Sequence, residues 1–215
     1  MTYSVKEIYM TIQGEGGQTG LPAVFLRFVG CNLWNGLERD RASAICKFCD
    51  TDFVGFDGPG GGQFKTPVDL VAALEKHWPK DQPNKWIVAT GGEPLLQLDE
   101  ALIRALHAAG FKVAVETNGT IAAPNGIDWL CVSPKAGADI IQKHGHELKL
   151  VYPQVENKPE DFADMDFARF SLQPRDDSLF APEQNAANIQ ACVEYCLSNP
   201  VWCLSIQTHK MIGID

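Results

Sequence analysis

Short apolar runs rich in β-branched residues recur along the chain, and turn residues follow each of them. Several of these turns lead into segments whose apolar residues have helical spacing. The runs lie at Ala23–Val29, Trp86–Thr90, Phe111–Glu116, Trp129–Val132, Leu148–Tyr152, Phe170–Leu172 and Trp202–Ile206. Because buried strands that alternate with helices form parallel sheets covered by helices, the pattern predicts an α/β fold.

Start and stop signals define three helices. Thr66 offers an N-cap hydroxyl, Pro67 suits the first helical position, and this helix is expected to end by Trp78. A second helix runs near Asp99–Ala109 and is followed by a glycine, as at a C′ position. A third covers about Pro182–Leu197. No linker or change of composition divides residues 1–215, so we expect a single domain.

Polar motifs follow four of the predicted strands. They are Thr90-Gly-Gly-Glu, Glu116-Thr-Asn-Gly, Ser133-Pro-Lys and Gln173-Pro-Arg-Asp. The carboxyl ends of parallel strands share one edge of a sheet, and ligands bind at that edge. The sequence therefore predicts that these motifs converge on one site.

Composition narrows the class of ligand. The chain has a formal net charge of -9, with 18 Lys and Arg against 27 Asp and Glu. Nucleic-acid binders need clustered cations, so we expect no nucleic-acid partner and favour a small molecule. No apolar stretch is long enough to span a membrane, so we expect no membrane partner. The first residues do not resemble an export signal, which predicts a cytoplasmic protein.

Three of the seven cysteines stand out by spacing. Cys46 and Cys49 form a C-x2-C pair, and Cys31 lies upstream between a predicted strand and that pair. Three thiolates can hold a [4Fe–4S] cluster and leave one iron open for another ligand. A zinc site lacking its fourth ligand, or three unrelated thiols, explains the cysteines alone equally well.

The remaining cysteines and histidines give weaker signals. Cys192 and Cys196 are one helical turn apart on an apolar stripe, which favours core packing, and Cys131 and Cys203 are expected to be buried within strands. The segment His144-Gly-His146 is typical of a turn rather than a metal site. His209 differs because it follows a strand.

Gly91-Gly92-Glu93-Pro94 is by itself no more than a turn signal. Residues without a Cβ also let backbone carbonyls approach an ammonium group, whose charge Glu93 could balance. With the three cysteines, this motif resembles the radical S-adenosylmethionine superfamily. The chain is more closely similar to the 7-carboxy-7-deazaguanine synthase family, on motifs spread over nearly its whole length: Gln13-Gly-Glu-Gly, Arg27, Cys49-Asp-Thr, Thr90-Gly-Gly-Glu-Pro, Glu116-Thr-Asn-Gly, Ser133-Pro-Lys, Gln173-Pro and Gln207-Thr-His-Lys.

The resemblance implies a fold and a reaction. The fold would be an incomplete TIM-like βα barrel with outer helices. The reaction would convert 6-carboxy-5,6,7,8-tetrahydropterin to 7-carboxy-7-deazaguanine with loss of ammonia, in the biosynthesis of queuosine and other 7-deazapurines. The alternatives are another small radical enzyme, such as a glycyl-radical activase, and a non-enzymatic iron–sulfur protein. Gln13–Gly16 and Gln207–Lys210 count against the activase, and the lack of a well-placed fourth ligand counts against the electron carrier.

The resemblance also implies ligand sites. Cys31, Cys46 and Cys49 would hold the [4Fe–4S] cluster, and Thr51 would bind Mg2+. The residues around S-adenosylmethionine would be Phe48, Asp50, Gly92, Glu93, Glu116, Ser133, Lys135, Gln173, Pro174, Arg175 and Asp176. Those around the pterin would be Ile12, Gln13, Gly14, Glu15, Arg27, Thr90, His209 and the terminal Asp215, where the family often has proline. A strand-end salt bridge is the structural alternative for Arg27. An electron donor such as flavodoxin and a homodimer are also expected.

One feature departs from the superfamily, whose cysteines usually follow a C-x3-C-x2-C pattern. Asn32–Ile45 separates the first two cysteines here, as in some members of the synthase family. We interpret the segment as an inserted cluster-binding loop that is partly helical and faces solvent, because its apolar residues show little periodicity.

Overall fold

A computed structural model describes residues 2–178 and 181–214. Within these ranges the chain forms one sheet of nine strands with helices packed against it. The strands are β1 Tyr3–Ile12, β2 Pro22–Phe28, β3 Gly62–Phe64, β4 Lys85–Gly91, β5 Phe111–Thr117, β6 Trp129–Val132, β7 His144–Tyr152, β8 Asp166–Pro174 and β9 Trp202–Leu204. The α-helices are α1 Pro67–Glu75, α2 Glu100–Ala108, α3 Asn185–Ser198 and α4 Thr208–Ile212.

The sheet has the order β3-β1-β2-β4-β5-β6-β7-β8-β9. Every pairing from β2 to β9 is parallel, and each predicted run is one of these strands. The predicted α/β fold is therefore confirmed, and the open sheet is consistent with a partial barrel. The antiparallel strands β1 and β3 were not predicted. A register shift between Val5 and Glu7 interrupts the alternation of β1, which weakens its signal in the sequence.

The two faces of the sheet differ in chemistry. One face packs against α1 and α2 and forms the main core, with residues such as Leu26, Ile87, Val113 and Leu148. The opposite face, called the inner face below, carries Ala23, Val88 and Ala114 near the amino ends of its strands. Toward the carboxyl ends the same inner face carries Arg27, Thr90, Glu116, Lys149 and Gln173. The period of two along each strand thus separates the core from a polar interior.

Thr66 caps α1 as predicted, and Asp99, where the second helix was expected to start, caps α2. Thr66 Oγ1 accepts a hydrogen bond from the Asp69 backbone N–H at 3.2 Å, and an Asp99 carboxylate oxygen accepts one from that of Leu102 at 2.8 Å. No helix in the described ranges combines the length and apolarity needed to cross a bilayer.

Several local expectations were wrong. His144-Gly-His146 is the start of β7 and pairs with β8, so it is not a turn. Cys203 is half-buried rather than buried, because β9 is the last strand of the sheet. The inserted segment does contain a short 3₁₀ stretch at Glu38–Ser43, but its Leu33 and Trp34 are buried instead of facing solvent.

Candidate active site

Cys31 and the C-x2-C pair of Cys46 and Cys49 line one cavity at the carboxyl ends of the parallel strands. We call this space, which is partly open to solvent, the thiol cavity. Most residues that the sequence assigned to S-adenosylmethionine line it as well. They are Phe48, Asp50, Gly92, Glu116, Ser133, Lys135, Gln173, Pro174, Arg175 and Asp176, and Thr51 lies beside them.

The surroundings of the three thiols affect their ionisation differently. A hydrogen bond between Cys46 and Cys49 raises the pKa of Cys46 and lowers the pKa of Cys49 to about 6. Burial raises the pKa of Cys31. The positive charge of Lys135 acts on Cys46 and Cys49 in the direction that favours thiolate. Because iron binds thiolate, a cation beside the pair suits a cluster site.

The inserted segment brings the distant cysteines together. The backbone N–H groups of Ile45 and Cys46 donate to the Leu33 carbonyl at 3.1 and 3.4 Å, which closes the segment on itself. The Arg41 guanidinium lies 4.1 Å from the ring centroid of Trp34 and also donates to the Cys49 carbonyl at 2.9 Å. The insertion is therefore a packed flap, and its buried aromatic side chain forms part of the cavity wall.

Gly91 and Gly92 allow the strand end of β4 to approach the turn that carries Cys31. A Cβ on Gly92 would lie 2.1 Å from the Gly30 carbonyl oxygen and 2.7 Å from the Cβ of Cys31. Gly91 has a φ of +137°, which few other residues adopt. The glycine pair thus has a packing role that the sequence interpretation, centred on a bound ligand, did not include.

Glu93 does not line the thiol cavity. Its side chain is fully buried and accepts hydrogen bonds from the Leu95 and Asn118 backbone N–H groups and from the Thr117 hydroxyl, at 2.9, 2.8 and 2.7 Å. Burial raises the pKa of Glu93, and these hydrogen bonds oppose that effect. The carboxylate connects the turn after β4 to the turn after β5.

A second cavity adjoins the first, and we call it the polar cavity. Glu15, Asp50, Thr51, Thr90, Glu116 and Gln207 line both cavities. The polar cavity also contains the rest of the predicted pterin residues within the described ranges: Ile12, Gln13, Gly14, Arg27 and His209. Asp215 lies outside the described residues. The two predicted binding regions are therefore parts of one continuous space.

Arg27 and His209 are held by neighbours in the polar cavity. Arg27 Nε donates to Glu7 Oε1 at 2.6 Å, and its Nη2 donates to the Tyr9 hydroxyl at 3.0 Å. The salt bridge considered as the structural alternative is thus present, at a residue that also lines the cavity. A Cβ on Gly14 would lie 2.2 Å from Nδ1 of His209, so the glycine permits this close packing of the imidazole.

A buried lysine on β7 lies between two carboxylates where the cavities meet. Lys149 Nζ is 2.6 Å from Glu15 Oε2 and 3.0 Å from Glu116 Oε2. The other carboxylate oxygens accept amide hydrogen bonds, from Gln207 to Glu15 Oε1 at 2.8 Å and from Gln13 to Glu116 Oε1 at 3.2 Å. These five side chains form a continuous network, called the carboxylate network below.

The C-terminal helix α4 contacts both sides of the thiol cavity. Lys210 Nζ lies 2.8 Å from the Asp50 carboxylate and also hydrogen-bonds that of Asp176. Burial raises the pKa of Asp176, but the hydrogen bonds from Lys210 and Ser178 outweigh it and hold that pKa well below its usual range. One cation thus joins the segment that carries Cys49 to the end of β8.

Sequence reasoning missed Lys149, Gln207, Lys210 and Glu7. A signal for Lys149 existed, because it is a polar residue between Leu148 and Leu150 on a strand, which is the pattern of a residue on the opposite face. Lys210 and Gln207 flank His209 in a motif that was recognised, but only the histidine was assigned a role. Nothing local marks Glu7 as a partner of Arg27.

The described residues contain no three His, Cys, Asp or Glu side chains already arranged around one metal ion. The donor set still fits an iron–sulfur cluster, because three soft thiol ligands face one cavity beside a cation and close to polar side chains. The three cysteines would hold such a cluster and leave one of its irons open to a further ligand.

Comparison with known proteins decides the family. The chain is 61% identical over 214 residues to the 7-carboxy-7-deazaguanine synthase of Caulobacter vibrioides, and each chain is covered in full. It is 57% identical to the enzyme of the same name from Bordetella pertussis, again over the full length of both. The chain belongs to the 7-carboxy-7-deazaguanine synthase family.

The structural comparison agrees with this membership at the level of fold. The crystal structure of QueE from Escherichia coli matches with a TM-score of 0.70 and 24% sequence identity, covering 96% of this chain and 94% of that one. No protein-family model matches the chain.

Membership in the synthase family confirms the resemblance inferred from the motifs. The protein is therefore an enzyme, and its family uses S-adenosylmethionine and an iron–sulfur cluster. The interpretations of the cysteines as a zinc site or as unrelated thiols, and of the chain as an activase or electron carrier, are set aside.

Proposed function

We propose that this enzyme converts 6-carboxy-5,6,7,8-tetrahydropterin to 7-carboxy-7-deazaguanine and ammonia, with the pterin in the polar cavity and S-adenosylmethionine in the thiol cavity. The main support is structural: the two cavities share a boundary. In addition, relatives that are 61% and 57% identical over their full length bear the synthase name. Adjacent cavities suit a reaction in which one bound molecule must act directly on another.

Cys31, Cys46 and Cys49 would hold the cluster. When bound, the cluster and S-adenosylmethionine supply the one-electron chemistry that abstracts hydrogen from C6 of the pterin. The side chains of the thiol cavity would orient the S-adenosylmethionine: Lys135 and Arg175 carry positive charge, and Asp50 and Asp176 carry negative charge. Positive and negative side chains both suit S-adenosylmethionine, because its methionine part has a carboxylate and an ammonium group.

The polar cavity suits a pterin because it offers both a cation and carboxylates. Arg27 can bind the pterin carboxylate, since a guanidinium matches a carboxylate bidentately. Gln13 can donate and accept hydrogen bonds at an aminopyrimidinone edge, and the Glu15 carboxylate can accept them. Leu33, Trp34 and Phe53 line the thiol cavity and restrict water near the reacting groups.

Thr51 would bind Mg2+ where the two cavities meet. A single hydroxyl is a weak ligand, which suits an ion that keeps several waters and takes other oxygens from substrate. We expect Thr51→Ala to need at least about tenfold more Mg2+ for half-maximal turnover than Thr51→Ser, since only serine keeps the hydroxyl. Equal requirements in a Mg2+ titration would contradict the assignment.

The proposed reaction is tested by anaerobic reconstitution of the cluster. The EPR spectrum of the reduced cluster should change on addition of S-adenosylmethionine, and the carboxytetrahydropterin should give 7-carboxy-7-deazaguanine detectable by mass spectrometry. A protein with an intact cluster that cleaves S-adenosylmethionine but leaves this pterin unchanged would overturn the substrate assignment. The flavodoxin-like donor, the homodimer and the cytoplasmic location stay predictions.

A further inference from the structure

The carboxylate network contains one cation for two carboxylates at the boundary of the cavities. The Lys149 side chain is 4% exposed, whereas those of Glu15 and Glu116 are each 20% exposed. Lys149 lines the thiol cavity but not the polar cavity, while both glutamates line the two of them. The ammonium therefore contacts the carboxylates from one side and leaves them accessible from the other.

The geometry of the network leaves acceptor capacity unused. A carboxylate has about four lone-pair sites. Each glutamate uses one oxygen for Lys149 and the other for a glutamine amide, from Gln207 or Gln13, and Glu116 also accepts a hydrogen bond from the Cys131 thiol. The remaining sites can accept N–H groups from a molecule in the polar cavity.

Two nearby carboxylates without a cation would not both stay ionised, because like charges in a poorly solvated site repel each other. One of them would then carry a proton and act as a hydrogen-bond donor. Burial raises the pKa of Glu15, but Lys149 and Gln207 outweigh it and bring it to about 2. Burial also raises the pKa of Glu116, and Lys149 opposes this effect.

We propose that Lys149 is a positioning residue that keeps Glu15 and Glu116 ionised and oriented as paired acceptors for the N–H groups of the pterin. This inference rests on the proposed function and deepens it. A tetrahydropterin has an amino group and ring N–H groups, so it needs acceptors that a protonated carboxyl provides less well. Lys149 itself need not touch the substrate.

Lys149→Met tests the inference in the reconstituted holoenzyme. We expect the KM for the pterin to rise at least about tenfold. Without Lys149 one of the two glutamates takes up a proton, and its carboxyl group no longer accepts a charge-assisted hydrogen bond from a pterin N–H group. Cleavage of S-adenosylmethionine without pterin should change much less. Lys149→Arg keeps the charge and should restore part of the affinity. Lys85→Met, at the amino end of β4, is the matched control and should leave the KM unchanged.

The pH profile separates this role from a merely structural one. Without Lys149, the acidic limb of kcat/KM should move to higher pH, so that raising the pH restores part of the activity. Glu147, Cys131 and His209 also act electrostatically on Glu15, Glu116 or Lys149, but they are common to wild type and variant. If Lys149→Met raises the KM for the pterin but leaves the acidic limb of kcat/KM at the wild-type pH, the inference is wrong.

A double variant covers the case in which Lys149→Met fails to fold. Lys149→Met combined with Glu116→Gln removes one charge of each sign and leaves Glu15 as the one carboxylate of the network. If Lys149 acts by offsetting the repulsion between Glu15 and Glu116, the double variant should lose no more pterin affinity than Glu116→Gln alone. A further loss of affinity in the double variant would contradict the inference. A wild-type enzyme that makes no product would instead contradict the proposed function.

Discussion

Cys46 and Cys192 are both buried cysteines, yet their neighbours differ. The thiol of Cys46 hydrogen-bonds that of Cys49 and lines the thiol cavity. Cys192 lies in the main core on α3, and its thiol donates to the Tyr152 carbonyl with a 3.6 Å separation. At the scale of single residues, access to the cavity therefore separates the expected iron ligands from the structural thiols, which spacing in the sequence also indicated.

Replacement of these two thiols should have opposite effects on activity. Cys46→Ala removes a proposed cluster ligand, so we expect product formation to fall below detection and the iron content to drop. Cys192→Ala leaves a small cavity in the core and should cost about 1 kcal/mol of stability while the cluster assembles normally. Iron analysis and thermal unfolding check both outcomes; an active Cys46→Ala enzyme would refute the ligand assignment.

At the scale of secondary-structure elements, the end of β4 must fit against the turn after β2. Gly92 meets the Gly30 carbonyl oxygen, which belongs to the backbone and cannot rotate away. The motif Thr90-Gly-Gly-Glu was recognisable from the sequence because it follows a strand. Its packing role could not be recognised, because the contact joins residues far apart in the chain.

Gly92→Ala should therefore displace the turn that carries Cys31. We expect cluster content and S-adenosylmethionine cleavage to fall at least about tenfold, because a Cβ 2.1 Å from an oxygen forces the backbone apart. Gly110→Ala is the control: it meets no atom within 4 Å, and its positive φ costs about 1 kcal/mol of stability. Normal cluster loading in Gly92→Ala would show that the turn can adapt.

The loop after Thr51 depends on a lysine of β1. The buried Lys6 Nζ lies 2.7 Å from Asp52, 2.6 Å from Asp57 and 2.8 Å from the Val54 carbonyl. Hydrogen bonding with Asp52 and Asp57 raises the pKa of Lys6, so it remains charged. This strand was not predicted, and neither was its contact with the loop.

Lys6→Met should loosen the loop over 52–57 while the rest of the sheet stays folded. We expect amide hydrogen exchange in this loop to accelerate at least about tenfold, because three hydrogen bonds to one ammonium are lost. Lys65→Met, at an exposed position, is the control. If mass spectrometry finds equal exchange rates in both variants, Lys6 does not hold the loop.

At the scale of the whole molecule, three shielded carboxylates, those of Glu15, Glu93 and Glu116, link stability to pH. The folded-state pKa of Glu15, about 2, lies below its ordinary value of 4.5. Ionised Glu15 therefore stabilises the fold above pH 4.5, and this contribution is lost as the pH falls toward about 2. Glu93 and Glu116 have raised pKa values, so acidification acts on them in the opposite direction.

Comparison with Glu15→Gln isolates the contribution of this carboxylate. Near neutral pH the variant should be less stable than wild type by about 2 kcal/mol, and the difference should shrink as the pH falls from 4.5 toward about 2. Urea unfolding at a series of pH values measures this difference. Glu183→Gln, at an exposed carboxylate, should show no such convergence. A difference that is constant with pH would contradict the prediction.

The sequence by itself determined the parallel strands, the helix caps, the family and the motifs at the strand ends. Each strand, cap and motif depends on residues that are close together in the chain, such as Thr66 and Asp69 or Cys46 and Cys49, and the family follows from the set of such motifs. Only the tertiary structure decided that β1 joins the sheet, that Glu93 is fully buried and does not line the cavity, and that Lys149 lies between Glu15 and Glu116. The physical reason is that pairing and burial depend on residues brought together by folding, which local patterns do not encode.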